Sequence, residues 1–456
     1  MGTVTTQSAS TLKISAVTSR QLSDISSLKR RKSLAMSEST GDVRVRNTER
    51  FFASTNASPA SPNAIVLYLV KNQIRIPIYL ITALFLGHIL LPYQHVTSKF
   101  LYLSHRVEHS GLYVKGPDDI YFVCFWVVAF TFIRAFTMDY LFVPFGCSQG
   151  IYRKKTLTRL AEQAWSCGYY FVFGSLGTYL MYNSPYWLNT DELWVAWPHR
   201  ELKLMFKWYY LVQLAFWLQQ IFVLNIEQRR KDYRQMFTHH IVTCALLIMS
   251  YNYCFTRMGN VVLVLMDVVD MVFSAAKILK YLGHQTVCDV MFGVFIFTWV
   301  ISRHVLYTRL VWSAMFDAYR LIGYKCFFEP LDDVISVGDA LPSGSNNKTR
   351  TWLGEEQCFT EIMHFSFIFL LWILMGLTIV WFYMIVKVAV RVLSGGGADD
   401  SRSDGEEEDD EATEEFDDEK AELKMLEEVD DADLDDDATL VDVAADAVEL
   451  PLTKSR

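Results

Sequence analysis

The 456-residue chain has little of what metal-binding, disulfide-rich or secreted soluble proteins contain. Its eight cysteines are scattered singly without a CxxC pair, which argues against a zinc site or a disulfide framework. The first 60 residues have no apolar core, so no cleavable signal peptide is visible and the first span is expected to serve as the signal. Among ten histidines only His105 and His109 have i, i+4 spacing, whereas histidine-rich membrane oxygenases need many such boxes, and we therefore expect no metal.

Apolar runs of spanning length are what the chain does contain, with 52% hydrophobic and 14% aromatic residues, and they place it among membrane proteins. Its charge is divided unevenly. Residues 395–456 carry 26 Asp and Glu against 5 Lys and Arg, while the rest carries 25 acidic and 37 basic residues. The sequence thus predicts a basic membrane body with an acidic tail, and both this tail and the polar first 60 residues are expected to be disordered.

We predict an all-α polytopic membrane protein, a bundle of about eight transmembrane helices. The candidate spans are residues 76–93, 120–144, 164–182, 204–225, 236–256, 260–280, 288–312 and 361–388. Basic residues fall in alternate loops, which places those loops and both termini in the cytosol. The domains are then a disordered arm (1–60), two spans with their loops (61–150), a catalytic membrane domain (151–393) and the acidic tail (394–456).

The loop between spans seven and eight falls on the lumenal side in this topology. It contains a glycosylation sequon at Asn347, which supports that assignment modestly because sequons also arise by chance. Cys326 and Cys358 share the same loop, and they either pair in an oxidising lumen or are two unrelated thiols.

Three serines in the polar tails lie in sequences that resemble kinase sites. Ser33 follows a basic run that is equally explained as a positive-inside determinant. Ser401 and Ser403 each have an acidic residue three positions on, and the alternative is a solvated, unmodified tail.

The stretch 229–280 combines a basic cluster, two adjacent histidines and two aspartates within apparent spans, where ionisable residues are costly and usually functional. His240 lies ten residues after Arg230, and Asp270 lies ten residues before Lys280 on the next, antiparallel helix. At a rise of 1.5 Å per residue both groups lie roughly 15 Å deep. They are therefore expected to meet near the midplane of the membrane.

The spacing of these residues indicates acid–base chemistry. Asp267 and Asp270 are at i and i+3 and face one side of their helix, whereas His239 and His240 diverge by about 100°. The set provides two potential bases with carboxylates to orient them and stabilise an imidazolium. The structural alternative is a group of buried polar residues that hold helices together by hydrogen bonds. Two histidines and two carboxylates at matched depth favour catalysis or transport.

The ordered pieces around these residues resemble the TLC-domain family, and within it the ceramide synthase (sphinganine N-acyltransferase) branch of the fungal type. The matching pieces are Tyr209-Tyr210, Gln213, Phe216-Trp217, EQRRKD at 227–232, Thr238-His239-His240, Asp267 to Asp270 leading into Lys277, and Arg303-His304. They cover roughly residues 155–390, and their combination is far more specific than any single piece.

The resemblance implies an endoplasmic reticulum enzyme that joins a fatty acyl group from acyl-coenzyme A to the amine of a long-chain sphingoid base. It implies that His239, His240, Asp267 and Asp270 are catalytic. The candidates for contact with acyl-coenzyme A are the basic residues Arg229, Arg230, Lys231, Arg234, Lys277, Arg303 and His304. For Arg229 to Arg234 the alternative is a topology signal.

Further expectations concern partners and specificity. We expect acyl-coenzyme A to be a substrate, and we expect no cofactor and no nucleic acid. Membrane lipid is expected to surround the protein. The resemblance also implies a homodimer or a complex with a small single-span subunit. In the family, acyl-chain preference is associated with the last lumenal loop, here about residues 316–359.

Two chemical routes and three function classes stay open at this point. A neutral histidine takes the proton of the amine while the second polarises the thioester carbonyl or protonates the leaving thiolate; alternatively, a histidine forms a covalent acyl-imidazole. Besides the N-acyltransferase, the chain fits a non-enzymatic TLC-type lipid carrier or sensor, or a proton-coupled transporter. The missing internal repeat argues against the transporter.

Overall fold

The computed structural model describes residues 68–69, 71–90, 92, 94–226, 232–327, 334–336 and 357–393. The chain divides into two compact units. The first consists of Met1–Arg229 with Gln235–Ile379, and the second of Arg230–Arg234 with Val380–Arg456. In the second unit the described residues are 232–234 and 380–393. Every contact discussed below lies within the first unit.

Helices make up most of the described chain, because long apolar runs satisfy all their backbone hydrogen bonds internally when they are helical. In chain order they are α1 (Arg75–Leu90), α2 (Gln94–Leu101), α3 (Asp119–Thr137), α4 (Val143–Ser148), α5 (Lys154–Tyr182), α6 (Leu204–Ile226), α7 (Tyr233–Asn252), α8 (Thr256–Tyr281), α9 (Gln285–Trp299), α10 (Tyr307–Trp312), α11 (Ala318–Ile322) and α12 (Glu361–Leu393). Three π-helical turns join α3 to α4, α9 to α10 and α10 to α11, namely Met138–Phe142, Val300–Leu306 and Ser313–Asp317.

Four helical segments of the described chain are long and apolar enough to cross a membrane. They are Asp119–Ser148, Leu204–Ile226, Gln285–Ile322 and Glu361–Val392, with mean hydropathies of 1.9, 1.2, 1.6 and 2.4. Helices α5, α7 and α8 have 29, 20 and 26 residues but are more polar, in α7 and α8 partly because they carry the histidines and aspartates. Helix α1 is apolar but has only 16 residues. The multi-pass character is therefore confirmed, and the total of eight spans stays a prediction.

The expected helix bounds differ from the observed ones by a few residues in several helices and by about ten residues at two places. The third predicted span, 164–182, is the second part of α5, which begins at Lys154. The seventh, 288–312, extends to Ile322 because π-helical turns carry the helix onward. The wide turns have no clear periodicity in the sequence, which explains why the pattern missed the extension.

A small antiparallel sheet modifies the all-α expectation. Strands β1 (Lys325–Phe327), β2 (Val334–Ser336) and β3 (Gln357–Cys358) pair in the order β2-β1-β3. Cys326 stands opposite Cys358 in the β1–β3 register, and their sulfurs are bonded. These short strands lie in a polar loop with no alternating pattern, so periodicity gave no signal for them.

Helix α6 forms the centre of the core. Tyr209, Tyr210, Val212 and Ala215 are fully buried, as expected of a helix that is apolar on every face. At its N-terminal end Lys207, also fully buried, lies 2.7 Å from Asp119 Oδ1. This ion pair and the surrounding hydrogen bonds fix α3 against α6.

Candidate active site

Four structural elements supply the side chains of the candidate site. Helix α7 carries His239 and His240, and the next helix, α8, carries Asp267 and Asp270. Helix α6 contributes Gln213 and Trp217, and the π-helical turn Val300–Leu306 contributes Arg303. All of these residues except Asp270 are at most 6% exposed.

The two histidines are held around one indole. The ring centroids of His239 and His240 are 5.6 Å apart, and the Trp217 ring lies 5.5 Å from each of them. The indole meets His239 edge-on at 81° and His240 at 53°, so packing fixes both imidazole planes. Nδ1 of His240 is buried and has no hydrogen-bond partner within the described residues. This nitrogen is therefore not committed to another group of the described chain.

Asp267 is fully buried and held by a neutral amide. Its Oδ2 accepts a hydrogen bond of 3.0 Å from Gln213 Nε2, and Gln213 Oε1 accepts one of 2.5 Å from Tyr169. Asp267 Oδ1 is buried and has no hydrogen-bond partner in the described chain. The chain Tyr169–Gln213–Asp267 therefore orients one oxygen and leaves the other open.

Asp270 has a different environment, because it pairs with a cation. Arg303 Nη2 donates to Asp270 Oδ1 at 2.7 Å and to the Met266 carbonyl at 3.2 Å. The guanidinium lies 4.6 Å from the Trp299 ring centroid, a cation–π contact, and Arg303 is 1% exposed. Asp270 keeps 26% of its side chain exposed. Asp270 is thus paired directly with a cation, whereas the direct partner of Asp267 among the described residues is a neutral amide.

Arg303 also connects the aspartates to the histidines. Its guanidinium interacts electrostatically with His239 as well as with Asp267. The residue lies in a π-helical turn, a widened geometry that often marks functional sites. The structure therefore places three of the four predicted residues, His239, Asp267 and Asp270, around one shared cation, and His240 adjoins them through Trp217.

An apolar cavity reaches His239. It is lined by residues of α6, α7, α8 and α12, including Trp217, Leu246, Met266 and Leu374. No Asp, Glu, Lys or Arg side chain lines it among the described residues. Such a cavity suits a hydrocarbon chain with one reactive end at an imidazole.

The remaining sequence candidates have different positions. Lys277 lies on α8 with its Nζ 4.6 Å from the Phe273 ring centroid, and His304 is partly buried beside Arg303. Arg234 is described at the start of α7 in the second unit. Outside the described residues lie Arg229, Arg230, Lys231, Asn347, Ser33, Ser401 and Ser403. Arg303 contacts a carboxylate here, and its contact with acyl-coenzyme A stays a prediction.

Some site residues had a weak sequence signal or none. Gln213 and Trp217 belong to the pieces that resemble the family, and an amide within an apolar run is itself unusual, but no role followed from either. Tyr169 and Trp299 had no distinguishing pattern, because their roles arise from contacts between distant helices.

Comparison with known proteins gives a consistent result. The family model described as the TLC domain matches residues 159–387. The chain is 43% identical to sphingosine N-acyltransferase lag1 of Schizosaccharomyces pombe over 67% of its own length and 72% of that relative. It is 42% identical to the sphingosine N-acyltransferase-like protein ALT7 of Alternaria alternata, over 67% and 71% of the two chains. It is 39% identical to the ceramide synthase FUM18 of Gibberella moniliformis, over 69% and 74%.

Proposed function

We propose that this chain, which belongs to the TLC-domain family, is a ceramide synthase: it transfers a fatty acyl group from acyl-coenzyme A to the amine of a sphingoid base. The observation that carries the proposal is the buried His239–His240 pair around Trp217, with one imidazole at the end of an apolar cavity. The relatives named above support the acyltransferase class and both substrate classes.

The acyl donor fits the apolar cavity. A fatty chain in this cavity buries its methylene groups against Leu246, Met266 and Leu374, which favours binding by about 0.8 kcal/mol per methylene. The thioester carbonyl then lies at the His239 end. Burial around the thioester also excludes water, which would otherwise hydrolyse it.

Between the ammonium form of the sphingoid base and the amide, the nitrogen loses two protons, of which one passes through a base to solvent and the other ends on the leaving thiolate. A sphingoid base arrives as an ammonium ion, which is not nucleophilic until it loses a proton to a base such as a neutral imidazole. The amine nitrogen then forms the amide bond with the acyl carbon, the carbon–sulfur bond breaks, and coenzyme A leaves as its thiol after protonation. Nδ1 of His240, which is buried without a partner among the described residues, suits the proton-accepting role.

The two aspartates have separate parts in this scheme. Asp270, paired with Arg303, supplies a fixed dipole beside His239. Asp267, hydrogen-bonded through Gln213, offers an open carboxylate oxygen. Such preorganised charges stabilise the transition state without moving during the reaction. The covalent acyl-imidazole route uses the same residues, with a histidine nitrogen as the nucleophile.

The proposal extends to the surroundings of the site. The protein has about eight spans in the endoplasmic reticulum membrane, with both termini and the basic cluster at 229–234 on the cytosolic side, where acyl-coenzyme A is available. The catalytic domain occupies 151–393 between the arm and spans of 1–150 and the tail of 394–456. The reaction uses no cofactor, and the protein acts as a homodimer or with a small single-span subunit.

An assay of the purified full chain with a long-chain base and acyl-coenzyme A tests the function. The wild type forms an amide product, His240→Ala and Asp270→Ala lose that activity, and the exposed His284→Ala variant keeps it as the matched control. Equal activity in all four proteins would refute the assignment of His240 and Asp270 as catalytic residues. Binding of both lipids without any amide product would indicate a lipid carrier instead.

A further inference from the structure

A second cavity lies between α5 and α8 and opens to the outside of the helices. It has a volume of about 410 Å³ and is lined by Tyr170, Gly174, Ser175 and Thr178 of α5 and by Val268 and Met271 of α8. No residue lines both this cavity, called here the α5–α8 groove, and the apolar cavity at His239. The proposed acyl site therefore does not account for it.

The groove reaches the back of Asp267. A Cβ atom added to Gly174 would lie 3.4 Å from Asp267 Cβ, which is its nearest contact. Because Gly174 has no side chain, only its backbone stands between the groove and the Asp267 side chain at this point. Tyr170, another groove residue, interacts electrostatically with both Asp267 and Asp270. The groove therefore lies behind the two aspartates, and its lining residues Gly174 and Tyr170 separate it from them.

The order of residues around α8 supports this placement. Successive residues turn by about 100°, so Asp270 and Asp267 lie roughly 40° and 100° from Met266, which lines the apolar cavity. Met271, which lines the groove, follows at roughly 140°. Both aspartates thus occupy the sector of α8 between its two cavity-facing sides. A group that enters through the groove and an acyl group in the cavity approach the same pair of carboxyls.

Charge indicates what would occupy the inner end of the groove. Asp267 is fully buried, its one hydrogen-bond donor is the neutral amide of Gln213, and its Oδ1 has no partner among the described residues. The direct ion pair of Arg303 is with Asp270, and Arg303 reaches Asp267 only through a longer-range electrostatic interaction. A buried carboxylate without a directly paired cation is costly. An incoming ammonium group would supply the missing charge. Outside, Phe171 and Val172 on α5 are 60% and 56% exposed, which suits contact with lipid tails.

We infer that the α5–α8 groove admits the long-chain amine substrate directly from the membrane and that Asp267 receives its ammonium group. The groove offers this substrate hydroxyl side chains from Ser175 and Thr178 and apolar surface from Val268 and Met271. The inference rests on the proposed N-acyl transfer and adds that the two substrates enter by separate routes.

Filling the groove tests the inference. Gly174→Leu places a branched side chain at its inner end, and Gly168→Leu on the same helix is the matched control, because a Cβ there meets nothing within 4 Å. We expect Gly174→Leu to raise the KM for the long-chain base at least tenfold while the KM for acyl-coenzyme A stays within twofold. The control is expected to change neither KM. An unchanged KM for the base, or an equal rise in both values, would overturn the inference.

A second measurement decides the question if Gly174→Leu does not fold. In Ser175→Cys the new thiol lines the groove at an exposed position, and its labelling by a membrane-permeant maleimide is compared with that of the wild type. Saturating long-chain base is expected to slow this labelling at least fivefold, and acyl-coenzyme A is expected to leave it unchanged. Protection by acyl-coenzyme A, or by neither substrate, contradicts the route. Failure of the wild type to form any amide would refute the proposed function itself, which separates the two outcomes.

Discussion

The ion pair between Arg303 and Asp270 gives the most quantitative test of the site. Replacing Arg303 with methionine keeps an unbranched side chain that can fill part of the buried space but removes the guanidinium and its 2.7 Å contact with Asp270. Breaking a buried pair on one side costs about 3–5 kcal/mol. Since Asp270 keeps 26% of its side chain exposed, water screens part of the charge, and we expect the free energy of unfolding to fall by about 3 kcal/mol.

The assay is a double-mutant cycle on the free energy of unfolding, measured in mixed micelles with denaturant. Arg303→Met alone is expected to be costly, but much less so in the Asp270→Asn background, with a coupling of about 2 kcal/mol. The control is Arg309→Met, because Arg309 is 49% exposed and its pair with Asp317 should contribute less than about 1 kcal/mol. Additive effects of Arg303→Met and Asp270→Asn would refute the ion-pair reasoning.

Three further predictions concern other parts of the molecule. Gln213→Leu removes the amide that donates a hydrogen bond to Asp267, so we expect kcat to fall at least tenfold while the KM for acyl-coenzyme A, measured in the same assay, stays near the wild-type value. Gly259→Ala places a Cβ 2.0 Å from the Tyr210 hydroxyl, and thermal unfolding should show a loss of about 1–3 kcal/mol. Burial and nearby Arg257 lower the pKa of His199 to about 4. Because the unfolded chain then binds a proton at a higher pH than the folded protein does, the free energy of unfolding falls as the pH drops from about 6.5 towards 4. In His199→Gln we expect a smaller fall over this pH range, measured by unfolding at several pH values.

The position of the site could be read from the sequence, because charge inside apolar runs is rare and costly. The matched depth of His240 and Asp270 was argued from the rise per residue of two antiparallel helices and stays a prediction; α7 and α8, which carry the two residues, are consecutive helices, and α8 brings Asp270 to Arg303. Periodicity is strongest for such long helices, which explains why their existence was predicted well.

The different environments of the two aspartates could not be predicted from the sequence. Spacing places Asp267 and Asp270 on one side of α8, but their partners, Gln213 and Arg303, come from helices that are distant in sequence. The same holds for the α5–α8 groove, which depends on the missing side chain at Gly174. Contacts between helices follow from packing, which no single segment encodes.

The central claim is that the buried histidine pair catalyses amide formation, and its most direct test is the single-turnover rate of the purified double variant His239→Ala/His240→Ala. With saturating acyl-coenzyme A and long-chain base, we predict a rate at least about 100-fold below that of the wild type, since general acid–base groups contribute about 10²–10⁴-fold. Unchanged unfolding and retained binding of a fluorescent acyl-coenzyme A analogue would show that the site is otherwise intact. A rate within threefold of the wild type would contradict the account.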